Sequence, residues 1–420
     1  MRYDPGNEIT ESLLTLFDQA ALRNLVEQAL LANPDLKRTH ARMTESGFSL
    51  RIASAGLVPA IRSNLSAAHS QPPRQTNARE TPSISNTFTA TLDTIWEIDV
   101  WGKIRSGRAA AQADQAALTA DYQAAKQSLA AQTMQAWFQL TESEKLLALD
   151  QRRVESFEST KQRVQRRFDV GQATLGQLEL AETDTENARA DVQQTLDLRD
   201  QAARQVRVLL GDYPDHLLTS PEWPSLKRHV QAGLPSELLL RRPDIRAAYS
   251  QIRAADARVQ VAYADLFPSF ALTASGGRQS DRLEDLARSS FNTWSLLGNI
   301  TTPIFEGGRL RAVLGVASKR AEQAYFNYQS TVLSALQEVE NTLGSEHFLA
   351  AEESARLTAL KSAQAAFQRA QRDYEAGVSD LLTLLEAQRG VFNTERQSIN
   401  VHAARLNNRV ALALALGKGV

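Results

Sequence analysis

With 420 residues and a formal net charge of −1, the chain offers neither a polyanion-binding surface nor an acidic tail. It has no cysteine, which excludes disulfides and thiol chemistry, and its six histidines (His40, His69, His216, His229, His347, His402) stand in no metal-ligand spacing. No apolar run reaches about 18 residues, so no transmembrane helix is expected, and the start, Met1 to Gly6, lacks the apolar core of a signal peptide.

The first segment, from Leu25-Val26 to about Gly56, carries apolar residues three and four apart and predicts one helix, which Pro59 ends. Ile61, Ser63, Leu65 and Ala67 then alternate with Arg62, Asn64 and Ser66. After a loop from Gln71 to Pro82, Phe88, Ala90, Leu92, Thr94 and Trp96 alternate with Thr87, Thr89, Thr91 and Asp93. This period of two predicts a pair of strands. Alternation alone fits a hairpin on a soluble sheet as well as one in a membrane.

From Gly102 to about Phe168 there is no proline and one further glycine, Gly107, within an alanine-rich run. A helix of this span is about 100 Å long, so coiled-coil-like packing must stabilise it. Gly171 then supplies the left-handed stop, and a return helix is expected from about Leu175 to Leu210.

The second half repeats the order. A helix from about Ile245 to Asp265 ends before Pro268, and strands are expected at Phe270–Ala274 and Trp294–Ile300. A proline-free run from Gly308 to about Tyr374 follows, in which Tyr325, Tyr328, Val332, Leu336, Val339 and Leu343 keep a seam spacing. Gly377 ends it, and a return helix runs from about Leu381 to Leu416.

Slid by about 206 positions, the halves align without a gap over a span far longer than a solenoid unit. Trp101–Arg105 meets Gly307–Arg311, Phe168–Gly171 meets Tyr374–Gly377, and Gly211 meets Gly417. Asn33-Pro34-Asp35-Leu36 meets Arg242-Pro243-Asp244-Ile245 at a slightly larger offset. Residues 1–211 are therefore expected to form one structural repeat, with strands within about 59–100 and a helical hairpin over about 102–210. Residues 212–420 form the second, with strands within about 268–304 and a hairpin over about 308–417.

Four strands leave two open edges and cannot close a barrel alone. In a membrane every backbone group must be paired, so such a sheet closes only by oligomerisation. The hairpins, rich in Glu, Arg and Gln, suit an aqueous compartment below it.

The set Trp96–Arg105, Gly233–Ser236, Leu240–Ile245, Leu266–Ser269 and Pro303–Arg309, in this order, resembles outer membrane efflux factors of the OprM-like branch of the TolC superfamily. The resemblance covers about Leu22 to Gly417. It implies an α+β membrane protein: a homotrimer, four strands per protomer closing a twelve-stranded outer membrane β-barrel, continuous with a long periplasmic α-helical barrel. An equatorial region around Pro214 to Pro224 is implied as well. The implied role is a passive exit duct of a tripartite efflux system in a Gram-negative bacterium, carrying small molecules and gated at the periplasmic helix turns. Partners implied are a periplasmic adaptor (membrane fusion) protein, an inner membrane transporter of the RND type and outer membrane lipid. No nucleic acid and no cofactor is implied.

Gate residues carried by the resemblance fall near the two turns. Tyr374 fits the family's tyrosine, whereas Gln177 stands where an aspartate is usual and Ser379 where an arginine is usual, which argues against a salt-linked lock of that form. Asp380 has two readings, an acidic ring that attracts cations in a narrow pore or a helix-start residue favoured by the dipole. Trp101, Gly102, Gly307 and Gly308 mark the strand-helix junctions. Trp96, Trp101 and Trp294 fit an interfacial belt or packing at the junctions, the latter favoured for Trp101. Gly307-Gly308-Arg309 lacks P-loop spacing and reads as a turn. Arg166-Arg167 and Arg241-Arg242 read as solvated or ion-paired faces.

Many members of the branch carry a signal peptide and a lipidated cysteine. The sequence as it stands shows neither, so a trimmed form or an absent anchor is expected, with outer membrane location resting on the body of the chain. A periplasmic coiled-coil adaptor or structural protein is the alternative, but it would show one hairpin rather than two. No nucleophile-base pair, metal cluster or phosphate cradle with meaningful spacing points to an enzyme.

Overall fold

The computed structural model describes residues 13, 16–17, 19–71, 84–215, 218–220, 222–224 and 241–419. The loop expected up to Pro82, the Gly233–Leu240 motif, His216, His229 and the first residues lie outside the described residues. Helices α1 (Ala20–Ala32) and α2 (Pro34–Ala55) precede strands β1 (Ala60–Ser70) and β2 (Ser85–Ile98), then helices α3 (Lys103–Asp169) and α4 (Leu175–Leu209). Helix α5 (Pro243–Ala264), strands β3 (Ser269–Ser280) and β4 (Asn292–Thr301), and helices α6 (Arg309–Glu375) and α7 (Leu381–Ala415) complete the order. Helices α3 and α6 are 67 residues each, and α4 and α7 are 35 each.

The single helix expected from Leu25 to Gly56 is a correction. It begins at Ala20 and is broken at Asn33. Pro34 forces the preceding residue out of helical geometry, and Asn33 sits at φ −57°, ψ 124°. Its side-chain oxygen accepts the Leu36 backbone N–H at 3.0 Å, starting α2. Its amide donates to the Leu209 carbonyl at 3.0 Å, at the end of α4. The matching position in the second half, Arg242, donates to the Ala415 carbonyl at 3.0 Å, at the end of α7. The same job is done twice by different side chains. Behind it, Gly211 and Gly417 have φ of 75° and 68°. A β-carbon on Gly211 would lie 3.0 Å from the Ala32 carbonyl oxygen, and one on Gly417 3.2 Å from Arg241 backbone.

The chain divides into two compact units, each drawing on both halves of the sequence. The first comprises Met1–His40, Ala120–Arg246 and Thr331–Val420. Its core packs Met134, Phe138 and Leu140 of α3 against Val26 of α1, Ala203 of α4 and Leu406 and Val410 of α7. A second cluster joins Phe157 and Val164 of α3, Ala181 and Ala188 of α4, and Leu384 and Leu385 of α7. Leu336, Val339 and Leu343 of the expected seam pack on Leu412, Ala415 and Leu416 of α7. The stretch around Ser220 lies on α3, where Glu144 accepts its backbone N–H at 2.8 Å and Thr141 meets its hydroxyl.

The second unit, Ala41–Thr119 and Ala247–Ser330, carries the sheet. Its four strands are antiparallel in the order β1-β2-β3-β4. Because paired residues share a face, the register gathers Ile61, Leu65, Phe88, Leu92, Trp96, Phe270, Leu272, Trp294, Leu296 and Ile300 on one side. Arg62, Asn64, Thr89, Thr91, Asp93, Thr273, Ser275, Thr293 and Asn299 take the other. Every residue of the edge strands β1 and β4 is exposed. Strand β3 passes β2 so closely at Gly277 that a β-carbon there would lie 2.1 Å from the Ala90 carbonyl oxygen. Tyr325 of the expected seam is exposed, while the Tyr328 ring lies 6.2 Å from Tyr249 on α5.

Candidate functional site

At the first turn α3 ends on Asp169 and the chain reverses at Gly171, whose φ of 76° no side-chain-bearing residue adopts cheaply. The Gln172 N–H returns to the Arg167 carbonyl at 2.7 Å, a Schellman closure. Thr174 starts α4 with a capping box. Its hydroxyl accepts the Gln177 N–H at 3.3 Å, and the Gln177 side-chain oxygen accepts the Thr174 N–H at 3.0 Å. Gln177 is thus engaged by its own helix start.

The second turn is built alike. Gly377 has φ 75°, and the Val378 N–H reaches the Asp373 carbonyl at 2.8 Å. The Ser379 N–H shares that carbonyl at 3.2 Å, and its hydroxyl donates to the Asp380 carbonyl at 3.3 Å. Asp380 caps α7 by accepting the Thr383 N–H at 2.9 Å. That backbone bond holds its exposed carboxyl below the ordinary carboxylate range. The helix-start reading of Asp380 describes what its side chain does within one copy, and one carboxylate at the turn still faces solvent.

Tyr374 is buried under Arg167, whose guanidinium carbon lies 4.2 Å from the ring centroid and which donates to the Tyr374 carbonyl at 2.9 Å. Arg163 pairs with Glu375 at 3.1 Å. The Arg166-Arg167 cluster is therefore partly a packing element that ties the end of α3 to the end of α6. Sequence reasoning did not find these ties, nor the polar layers further along the same helices. Both Asp184 oxygens on α4 receive Arg389 of α7 at 2.7–3.1 Å. Gln388, fully buried on α7, donates to Ser156 at 2.7 Å and accepts from Thr160 at 3.2 Å, both on α3. Asp150, fully buried on α3, accepts Thr195 of α4 at 2.7 Å and pairs with Arg396 of α7. Glu142, on the same helix, is pushed up from 4.5 to about 7 by burial.

At the strand-helix junctions, Asp99 accepts the backbone N–H groups of Ile104 and Arg105 at 3.0 and 2.9 Å and so caps α3. Burial opposes its ionisation, but these bonds and Arg105 outweigh it and keep its carboxyl low. Gly102 makes the bend at φ 76°. Trp101 donates to the Pro268 carbonyl at 2.7 Å and stacks on Phe267 at 4.9 Å, so it packs the junction. Lys103 reaches Asp265 at 2.9 Å, a bond that raises its pKa. The second junction bends at Gly307 and Gly308, with φ of 57° and 84°, and Glu306 pairs with Arg309 at the head of α6.

Among the described residues no cluster could hold a metal ion, and no helix is long and apolar enough to cross a membrane. The family model for "Outer membrane efflux protein" matches the chain in two segments, residues 25–212 and 234–418. The chain is 32% identical to outer membrane protein OprJ of Pseudomonas aeruginosa over 95% of its length and 84% of that protein. It is 27% identical to the cation efflux system protein CusC of Escherichia coli over 96% of its length and 87% of that protein. The solved outer-membrane channel OprN superposes with a TM-score of 0.93 at 29% identity, covering 99% of this chain and 94% of that one.

Proposed function

The chain belongs to the outer membrane efflux protein family, and from that premise we propose how its parts make a duct. The protein is an outer membrane efflux channel with its helical part in the periplasm. As an outer membrane component of an efflux pump it works with an adaptor and an inner membrane transporter. Its role is passage rather than chemistry: the duct is passive, and energy comes from the inner membrane.

The observation that carries the rest is the sheet. A strand with all residues exposed at each edge leaves rows of unpaired backbone groups that no bilayer tolerates. The β4 edge of one copy pairing with the β1 edge of the next removes both. Three copies then give twelve strands, with the apolar face against lipid and the threonine-, serine- and asparagine-rich face lining a wet lumen. The two family-model segments and the paired helix lengths support reading the chain as one unit duplicated at about residue 211.

The gate lies at the turns of Gly171 and Gly377. Tyr374 fastens the second turn to the first, Gln177 and Ser379 stiffen the turns from within, and Asp380 contributes three carboxylates to a ring. Loss of the family's usual charged pair at Gln177 and Ser379 is offset by Arg163–Glu375 and Arg167–Tyr374 inside each copy. The transporter partner is of the RND type. The test is the reversal potential of the purified protein in a planar bilayer under a salt gradient. Cation preference that weakens in Asp380→Ala supports the ring, whereas an unchanged potential removes Asp380 from the pore.

A further inference from the structure

Near the sheet, α5 packs on α3, and the matching face of α6 is open in one copy. Resting on the reading above, in which copies of this chain close one ring, we infer that α2 of the next copy covers that face and pairs its Glu45 with Arg320, a reversed-charge counterpart of a pair inside each copy.

Inside one copy, Asp114 of α3 pairs with Arg258 of α5, and Lys103 reaches Asp265 at 2.9 Å. Closer to the sheet, Trp101 stacks on Phe267 and donates to the Pro268 carbonyl. The α3 row beside Asp114, made of Ala110, Ala113 and Ala117, is buried. The row that occupies the same places on α6, made of Val316, Lys319 and Gln323, is exposed. Next to it lies a groove of about 510 Å³ lined by Arg258, Val261, Ala262, Val313, Val316 and Arg320. Arg258 is committed to Asp114, so Arg320 is the charge this groove leaves over. On α2, Phe48 and Ile52 are 57% and 76% exposed. Each copy therefore offers one uncovered helix and one uncovered face.

The repeat carries α3 onto α6 and α2 onto α5, so the α3–α5 packing of one copy has its counterpart where α6 meets α2 of the next. On the α6 side Asp114 becomes Arg320, Lys103 becomes Arg309 and Trp101 becomes Gly307. On the α2 side Arg258 becomes Ser49, Asp265 becomes Gly56, Phe267 becomes Val58 and Pro268 becomes Pro59. Arg309 keeps Glu306. Arg320 joins no ion pair among the described residues of its own copy, and neither does Glu45. The other carboxylate of α2, Asp35, is held by Arg38. Glu45 stands one turn before Ser49, at the place of Ala254 on α5, which is 0% exposed. The next copy's α2 thus brings a carboxylate to a place that the packing buries, within an arginine's reach of Arg320. A carboxylate buried there needs that cation. The reversal also sorts the helices. An α5 offered to α6 of another copy would set Arg258 against Arg320, and an α2 offered to α3 would set Glu45 against Asp114. Both wrong pairings meet like charge, and both right ones meet opposite charge.

Charge reversal tests the pair. Glu45→Arg and Arg320→Glu each set like charges at every seam, and each should shorten the lifetime of the multi-copy species in warm, mild detergent about tenfold, which is about 1.4 kcal/mol. The Glu45→Arg/Arg320→Glu protein should recover most of that loss, because the opposite charges meet again. A second reading does not depend on stability. The chain has no cysteine, so Glu45→Cys/Arg320→Cys treated with a short bis-maleimide should give bridged species of more than one chain in a denaturing gel. Asp114→Cys/Arg258→Cys, the matching pair inside a copy, should bridge at single-chain size and serves as the positive control. Lifetimes unchanged by both single reversals, or a double reversal no better than its parents, overturn the pairing while the ring stands. So does an absence of multi-chain bridges at Glu45 and Arg320 when the control pair bridges. An unaltered protein that stays a monomer in detergent and in lipid would instead overturn the ring, and this inference with it.

Discussion

The helical unit and the sheet unit of this protein solve burial differently. In the helical unit one copy buries clusters of its own apolar residues and pairs Asp184 and Asp150 with arginines far away in sequence, while Leu333 and Phe348 stay 61% and 72% exposed. In the sheet unit the same chain leaves two edge strands and an apolar face uncovered, with Leu65 and Trp294 each 81% exposed. A sheet with that surface is complete only in company and in lipid. The contrast lies in the backbone, which the helices pair internally and the sheet leaves open along β1 and β4.

That contrast can be broken from either side. Gly277→Ala places a methyl group into the Ala90 carbonyl and should cost about 4 kcal/mol or more, abolishing strand pairing while the helices persist. Loss of the heat-resistant, slow-migrating species in detergent with retained helical circular dichroism is the expected result. Asp150→Ala leaves Arg396 and Thr195 without their buried partner and should destabilise the helical unit by about 3 kcal/mol. It is measured by denaturant unfolding followed at Trp137. Thr174→Ala removes a capping-box hydroxyl and should cost about 1 kcal/mol, seen as faster hydrogen exchange at the start of α4.

A further expected effect depends on pH. Glu142 has a folded pKa of about 7 against 4.5 when exposed. Below 4.5 both states hold the proton and the group contributes nothing. Between 4.5 and about 7 the unfolded chain ionises first, so stability falls as pH rises, and above about 7 the loss is complete. Glu142→Gln should flatten that slope and raise the melting temperature at pH 8 but not at pH 4. Equal shifts at both values would assign the effect to packing.

Much of this was readable in the residues. Gly171 and Gly377 announced the turns because a helix that stops before a reversal needs a positive φ, and proline-free runs on either side fixed four long helices to within a residue or two. The break at Asn33-Pro34 was missed because helix periodicity continues across it, although an Asn-Pro pair is itself a helix-start signal. Strand β3 runs on to Ser280 because Gly276 and Gly277 interrupt the alternation without interrupting the pairing. The Asp184–Arg389 and Asp150–Arg396 pairs join residues 205 and 246 positions apart, and no local pattern encodes such a partner. Gln177 was found through the family's motif position and Asp380 as a carboxylate beside the second turn, while their capping roles follow from Thr174 and Thr383 beside them.

The central claim is that this sheet is finished by other copies of the same chain. Native mass spectrometry of the protein extracted in mild detergent tests it most directly. A species of three times 46.3 kDa that dissociates together with the loss of β-structure is the predicted result. A monomer that retains its full strand content in lipid would contradict it.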